Sequence, residues 1–418
     1  MPDRSLRIAW LGAGPGRRDS GGVPGVATEL LRGLALLGHQ IDCFLPSAGR
    51  ELPPRVTDQE NLTFIWGTSG WRWNRWYSRT TTAASASGLI ARGFASLRLR
   101  REIARRHAQR PYDIIYSFSN IETPAVPARV ARSVPLVIHP ETHSAGELRF
   151  LIGERRLALR CQPRYMLVVA VAVMLSRTLI QRVRIRRASL LVCISSVFRD
   201  HLVADYRFPV ENTVVVANPV RLERFADIER RPRETPTVLV LGRIAVRKGV
   251  EDVVAVARTL RDRGANIQIR IVGGPGLWSD YTKLLDDLPP ENAEYLGGIS
   301  PSEIPAELAQ CDVLLQASRY EPFALTVAEA LAAGVPVVAT SEVGAIEGVQ
   351  RSVLAEVAPG DVEGMAGAIT TMIELVRSSP EATRSRARAE AERLWAPEVI
   401  CAQISSALVR LVDGAVAG

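Results

Sequence analysis

The sequence predicts an α/β protein of two Rossmann-like, doubly wound domains that face a central cleft. Three observations carry this. Short apolar strand patterns alternate with helical ones in both halves of the chain, as βαβ units and a parallel sheet require. Asn218-Pro219, followed by the polar, proline-containing stretch Arg230–Pro236, interrupts that alternation near the middle. The 418 residues suffice for two cores of ordinary size.

In the first half, Leu6–Leu11 reads as a strand running into Gly12, Gly14 and Gly16. Val23–Leu37 carries apolar residues at helical spacing and stops at Gly38. Gln40–Leu45 and Leu62–Trp66 follow as strands, then Ile114–Tyr116, Leu136–Ile138 and Leu190–Ile194, and Val214–Val216 precedes the break. Two stretches depart from the rhythm, 67–110 (rich in Trp, Arg, Ser and Thr) and 145–188 (basic and apolar). They read either as insertions around a binding site or as packed helices. The second half restarts with strand Thr237–Leu241, helix Val250–Arg263 and strand Ile267–Val272. Tyr281–Leu288 and Ser302–Gln310 are helical, Val313–Gln316 is a strand, Leu325–Ala333 a helix and Val335–Ala339 a strand; helical patterns continue from 361. The expected domains are 1–218 and 219–395, with 396–418 as a terminal helix returning to the first domain. Such sheets bind ligands beyond the carboxyl ends of their strands.

The net charge of +8 comes from arginine, for the chain has two lysines, Lys248 and Lys283, and it favours phosphates or anionic lipid. Five scattered cysteines with no C-x-x-C pair argue against a disulfide framework or a zinc site and suit a reducing, cytoplasmic location. The apolar start of the chain is a first strand rather than a signal-peptide core. The apolar run Met166–Leu175 is about half of the ~20 residues a bilayer span needs, so no transmembrane helix is expected. The aromatic-basic stretch 66–79 has the residue types that stack bases. Those side chains equally stack on sugar rings or pack, and no nucleic-acid partner is expected.

Three segments carry chemistry. In residues 318–340, Glu321 follows a buried strand, and the helix starting near Ala324 or Leu325 carries Glu329 in its second turn. The free N–H groups of that helix start, from Phe323 to Leu325, suit a diphosphate. Glu329 is placed to accept hydrogen bonds from two adjacent hydroxyls, such as those of a ribose. In residues 240–254 a strand ends at Gly242, and Arg243 and Lys248 flank the next turn, where two cations bracket a diphosphate. In IVGGPG, residues 271–276, Gly273, Gly274 and Gly276 let backbone approach a ligand. Gly21 and Gly22 open a helix in the first half and suit a phosphate or sugar from the opposite side. Neither first-half loop, GAGPG at 12–16 or SGGVPG at 20–25, is a clean G-x-G-x-x-G, which counts against an oxidoreductase. His139 ends a strand and suits a sugar hydroxyl. His139, His143, Glu141 and Glu147 lack the helical H-E-x-x-H context, so no metal is expected.

With those residues in view, the chain resembles the GT-B glycosyltransferases of family 4, also called glycosyltransferase group 1. LGRIAVRKG resembles the family's G-R-x(4)-K-G donor segment, and EPFALTVAE its E-x(7)-E motif. GGVPGVATELLRGLALLGHQIDCF resembles its N-terminal glycine loop and helix; CISSVFRDHL and VVVANPVRLERF resemble its inter-domain segments. Asn218-Pro219-Val220 departs from the family's Asn-Gly-Val, and Arg221 stands where an acid is common. The resemblance implies a retaining sugar transferase using a UDP- or GDP-sugar, with no metal or other cofactor. The acceptor is a glycan, a lipid-linked sugar or a small molecule, in polysaccharide, glycolipid or glycoconjugate synthesis. Arg243, Lys248 and the 323–325 amides would hold the diphosphate, Glu329 the ribose and Glu321 the transferred sugar. His139 and Gly22 would face that sugar from the first domain. A turnover-deficient nucleotide-sugar-binding subunit and an epimerase of the same fold are the alternatives. Arginines flanking Met166–Leu175 also suit peripheral contact with the inner face of a membrane, against the alternative of a buried helix with a basic end.

Overall fold

The computed structural model describes residues 4–16, 22–45, 52–67, 96–119, 126–231, 233–275 and 280–416. The first sheet holds seven strands: β1 (Arg7–Gly12), β2 (Gln40–Leu45), β3 (Leu62–Trp66), β4 (Ile114–Phe118), β5 (Leu136–His139), β6 (Leu190–Cys193) and β7 (Thr213–Val215). The second holds six: β8 (Thr237–Leu241), β9 (Gln268–Val272), β10 (Ala293–Tyr295), β11 (Val313–Gln316), β12 (Val337–Thr340) and β13 (Leu354–Val357). The orders are β3-β2-β1-β4-β5-β6-β7 and β10-β9-β8-β11-β12-β13, with parallel pairing throughout. Helices cover both faces of such sheets, so their strands are continuous apolar runs; β4 and β11 are buried at every position. Each order reverses once, at β1/β4 and at β8/β11, and loops leaving the carboxyl ends part there to open a crevice.

The strand pattern of the sequence holds, with two omissions. β10 and β13 are short edge strands, AEY and LAEV, whose glutamates break the apolar run. The segment 281–288 forms a 3-10 turn over Thr282–Asp287 in place of an α-helix.

Residues 145–188 form three packed helices, Ser144–Gly153, Arg155–Cys161 and Arg164–Ile185. The last runs 22 residues and is long and apolar enough, by length and composition, to cross a membrane. The apolar pattern is thus longer than Met166–Leu175, because it continues past Ser176 and Arg177 to Ile185. Residues 68–95, most of the Trp-rich stretch, lie outside the described residues.

The terminal helix Pro397–Val416 packs on helix Gly22–Leu36 of the first half. His39 Nε2 lies 2.6 Å from Ser405 Oγ, and a Cβ on Gly33 would run into Cys401 Sγ. The chain therefore crosses between the domains twice, and Val220 N bonds the Trp395 carbonyl (2.9 Å) between the two crossings.

Candidate functional site

The β8 and β11 loops meet at the crevice of the second sheet. Arg243 leaves β8 directly, is exposed on the cleft, and has no ion-pair or hydrogen-bond partner for its side chain among the described residues. A 3-10 turn, Val246–Lys248, follows and ends at Gly249 (φ 67°). Only glycine fits there, because a Cβ would run into the Ala317 carbonyl. The turn aims two cations at one carboxylate oxygen: Arg247 Nη1 is 2.8 Å from Glu321 Oε2, and Lys248 Nζ pairs with the same atom. Burial raises the Glu321 carboxyl, but Arg247 and Lys248 outweigh it and hold it at about 2. Burial lowers the Lys248 ammonium, with Arg247 and Arg243 acting in the same direction against Glu321. Arg247 was not singled out from the sequence, although it directly precedes Lys248.

Ala324 takes a left-handed conformation (φ 81°), unusual for a residue with a Cβ, and helix Leu325–Ala332 starts from it with no side-chain cap. Phe323, Ala324 and Leu325 line the same cavity as Arg243 and Glu321. The uncapped helix start thus presents N–H groups and partial positive charge to it. Glu329, one turn further, is buried with Arg224 at 3.8 Å, and burial lifts its carboxyl to about 7 against that cation. It does not line this cavity.

Gly242, Arg243 and Lys248 line an adjoining space of about 20 Å³. Gly273 and Gly274 shape its edge without lining it. A Cβ on Gly273 would run into the Gly242 carbonyl, and the Gly274 carbonyl accepts from Ile244 N at 2.9 Å. Gly276 and Gly21 lie outside the described residues.

The first domain supplies the opposite wall, with Gly22, Val23, Glu141, Asn218 and Arg177. His139 stands behind it. It is fully buried, bonded to Tyr116 Oη (2.6 Å) through Nδ1, and pushed by burial to about 3, so it is neutral. Its Nε2 is 3.5 Å from Glu141 Oε1. Glu141 accepts from Asn218 Nδ2 (2.8 Å), and burial raises it to about 7. Neither Glu141 nor Asn218 was read from the sequence as facing a ligand. Their part depends on the turn after β5 reaching the chain break after β7, which no local pattern shows. His143 points elsewhere, to Tyr320 Oη (2.9 Å) and Asp205 (2.8 Å), and ties the domains together. Among the described residues no three His, Cys, Asp or Glu side chains converge to hold a metal.

The two walls enclose about 340 Å³, within the range of small-ligand sites. Ser195 Oγ donates to the Pro322 carbonyl (2.7 Å), and Glu154 pairs with Arg319 (2.7 Å) across the gap. Among the described residues the arrangement offers two cations without a side-chain partner, Arg243 and Arg177, two held cations, an uncapped helix start and carboxylates on both walls. It fits an elongated ligand with a diphosphate in the middle and hydroxyls at its ends.

Known proteins share this organisation. Residues 223–391 match the family described as Glycosyl transferases group 1, and residues 20–224 match Glycosyltransferase Family 4. The chain is similar to a glycogen synthase of Mycobacterium tuberculosis, 30% identical over half of this chain and half of that protein. It is also similar to a GDP-mannose-dependent alpha-(1-6)-phosphatidylinositol monomannoside mannosyltransferase of the same organism, 32% identical over 35% of this chain and 41% of the other. The matches thus span about half the length of these relatives or less. Among solved structures, a sucrose-phosphate synthase from Thermosynechococcus elongatus superposes with a TM-score of 0.66 at 17% identity, over 98% of this chain and all of the other. HepE from Anabaena, in complex with UDP-glucose, superposes at 0.61 with 19% identity, over 97% and 100%. At these identities the structures show the fold.

Proposed function

The chain belongs to the family 4, group 1 glycosyltransferases of GT-B fold, and from that premise we propose that it is a retaining, metal-independent enzyme. In this reading it moves a hexose from a UDP- or GDP-sugar to an acceptor hydroxyl in the synthesis of a polysaccharide, glycolipid or glycoconjugate. The observation that carries the reading is an exposed Arg243, without a side-chain partner among the described residues, on the same cavity as the uncapped start of helix Leu325–Ala332 and Glu321.

Breaking the bond from the sugar C1 to the diphosphate oxygen leaves a nucleoside diphosphate whose charge must be held. Arg243, Lys248 and the amides of Phe323–Leu325 do so as fixed groups that need no reorganisation. Glu329 binds the ribose hydroxyls and Glu321 the transferred sugar. From the first domain Gly22 and Glu141 face that sugar, and neutral His139 fixes the Glu141 carboxyl from behind. The new bond forms from C1 to the acceptor oxygen, whose proton passes to the departing diphosphate oxygen. Inter-domain contacts exclude water, which otherwise hydrolyses the donor. The free cysteines and the soluble anionic donor support a cytoplasmic site of action, at the inner face of a membrane.

The test is a panel of UDP-, GDP- and ADP-sugars followed by proton NMR for slow hydrolysis. One donor is expected to release its nucleoside diphosphate, with the sugar first appearing as the donor's own anomer. A first product of the opposite anomer contradicts retention. No release from any donor by folded protein contradicts the assignment.

A further inference from the structure

Helix Arg164–Ile185 is built backwards for a soluble domain. Ala170, Met174, Gln181 and Ile185 are buried on the domain side, at helical spacing. The opposite side is also apolar: Tyr165 (69% exposed), Val168 (66%), Leu175 (49%), Leu179 (56%) and Val183 (54%) form one stripe along it. An ordinary surface helix is polar there. At ~1.5 Å per residue the stripe runs for about 30 Å.

Along this stretch of chain the charge has one sign, although Arg160 lies 3.9 Å from Asp287 of the second domain. From residue 155 to 199 there is no Asp or Glu, while residues 155–187 contain nine arginines. Arg155, Arg156, Arg160, Arg164, Arg186 and Arg187 are exposed, before the stripe and after it. An apolar face framed by cations matches an anionic lipid surface, with hydrocarbon under the stripe and headgroups on the guanidiniums.

Both ends of the helix are tied down, a geometry for lying on such a surface and not for crossing it. Ile185 is buried five residues before β6 begins, so the C-terminal end feeds straight into the first sheet. The preceding helix buries Ala158 in the core of the second domain. The same helix lines the cavity with Ala170, Met174 and Arg177. A surface covering its outer face therefore brings lipid headgroups to the rim of the cleft.

We infer that this face docks on an anionic bilayer and that the acceptor is a sugar carried on a membrane lipid, entering the cleft past Met174 and Arg177. This rests on the proposed transferase reading for the acceptor and on the helix alone for the docking.

Flotation tests the docking, with vesicles of phosphatidylcholine with and without phosphatidylglycerol. Wild type should float with the phosphatidylglycerol vesicles, less so as salt rises. Val168→Glu/Leu179→Glu, at two exposed positions, should lose binding at least tenfold with unchanged melting. Arg164→Gln/Arg187→Gln should lose about fivefold per arginine. Absence of binding at low salt, or equal binding by the apolar-face variant, overturns the docking. So does a wild-type dimer that Val168→Glu/Leu179→Glu dissociates in sedimentation, since a second copy would then cover the stripe.

For the acceptor, washed membranes of the source organism receive the radiolabelled donor that scores in the NMR panel. Label should enter the lipid-extractable fraction with wild type and fall sharply with the apolar-face variant. Label confined to water-soluble product, and equal for both proteins, overturns the lipid-linked acceptor. Hydrolysis in solution needs no membrane, so a failure of docking is distinguishable from a failure of the transferase reading.

Discussion

Arg243 and Lys248 both belong to the donor site of this account, yet the structure sets them apart. Arg243 is exposed and its side chain has no partner among the described residues, whereas Lys248 is bound to Glu321. Arg243→Ala therefore removes no ion pair from the free protein, and an exposed substitution of that kind changes stability by about 0.5 kcal/mol or less. What it removes is a charge-assisted bond to the diphosphate, worth about 1.5–3 kcal/mol. That is roughly a 10- to 150-fold loss of donor affinity. Lys248→Met breaks a native pair as well. Arg247 stays 2.8 Å from the same Glu321 oxygen, so the carboxylate is not stranded. The cost should fall to about 1–3 kcal/mol, below the ~3–5 of a fully broken buried pair. Thermal melting with and without donor, together with calorimetric titration of the nucleoside diphosphate, separates the two. Arg243→Ala should melt like wild type and lose the donor-induced shift; Lys248→Met should melt several degrees lower and lose it too. An Arg243→Ala protein that binds the diphosphate with wild-type affinity refutes the reasoning.

Three further outcomes follow from the same geometry. Glu321→Ala leaves Arg247 and Lys248 facing each other without their carboxylate; donor hydrolysis should fall at least ~100-fold and stability by about 2–4 kcal/mol, and wild-type turnover would contradict the role given to Glu321. Glu141 has its folded value raised by burial from 4.5 to about 7, so its contribution is fully present below 4.5 and is lost as pH rises through about 7. Glu141→Gln, a neutral stand-in, should gain on wild type as pH rises from 5 to 8.5, by up to about 3 kcal/mol, and parallel melting curves would exclude this. Gly273→Val, which drives a side chain into the Gly242 carbonyl, should cost about 2–4 kcal/mol and weaken diphosphate binding, and an unchanged urea midpoint would show that the loop has room.

Much of the fold is readable locally because parallel strands are buried on both faces. Gln40–Leu45, Leu62–Trp66, Thr237–Leu241 and Val313–Gln316 appear with the bounds their apolar runs suggest. The edge strands at Ala293 and Leu354 do not, since three or four residues containing a glutamate carry no period to detect. The placement of the residues proposed for the donor is similarly legible: Arg243, Lys248 and Glu321 sit in loops directly after apolar strands, where a doubly wound sheet places its ligands. Arg247 is set apart from a surface arginine by tertiary contacts, its 2.8 Å bond to Glu321, 74 residues away, and its 3.3 Å bond to the Tyr320 carbonyl. On the opposite wall, the Glu141–Asn218 bond joins positions 77 apart, which only tertiary packing brings together. His139 shows the converse. Its strand-end position suggested a ligand contact, but the fold turns the ring inward to Tyr116 and leaves Glu141 on the cavity.

The most direct measurement is the structure of this protein with a bound nucleoside diphosphate sugar. The account predicts the diphosphate between Arg243 and the amides of Phe323–Leu325, the ribose hydroxyls on Glu329, and the sugar between Glu321 and Glu141. A diphosphate held elsewhere, with Arg243 still unpaired and the start of helix Leu325–Ala332 still uncapped, would contradict it.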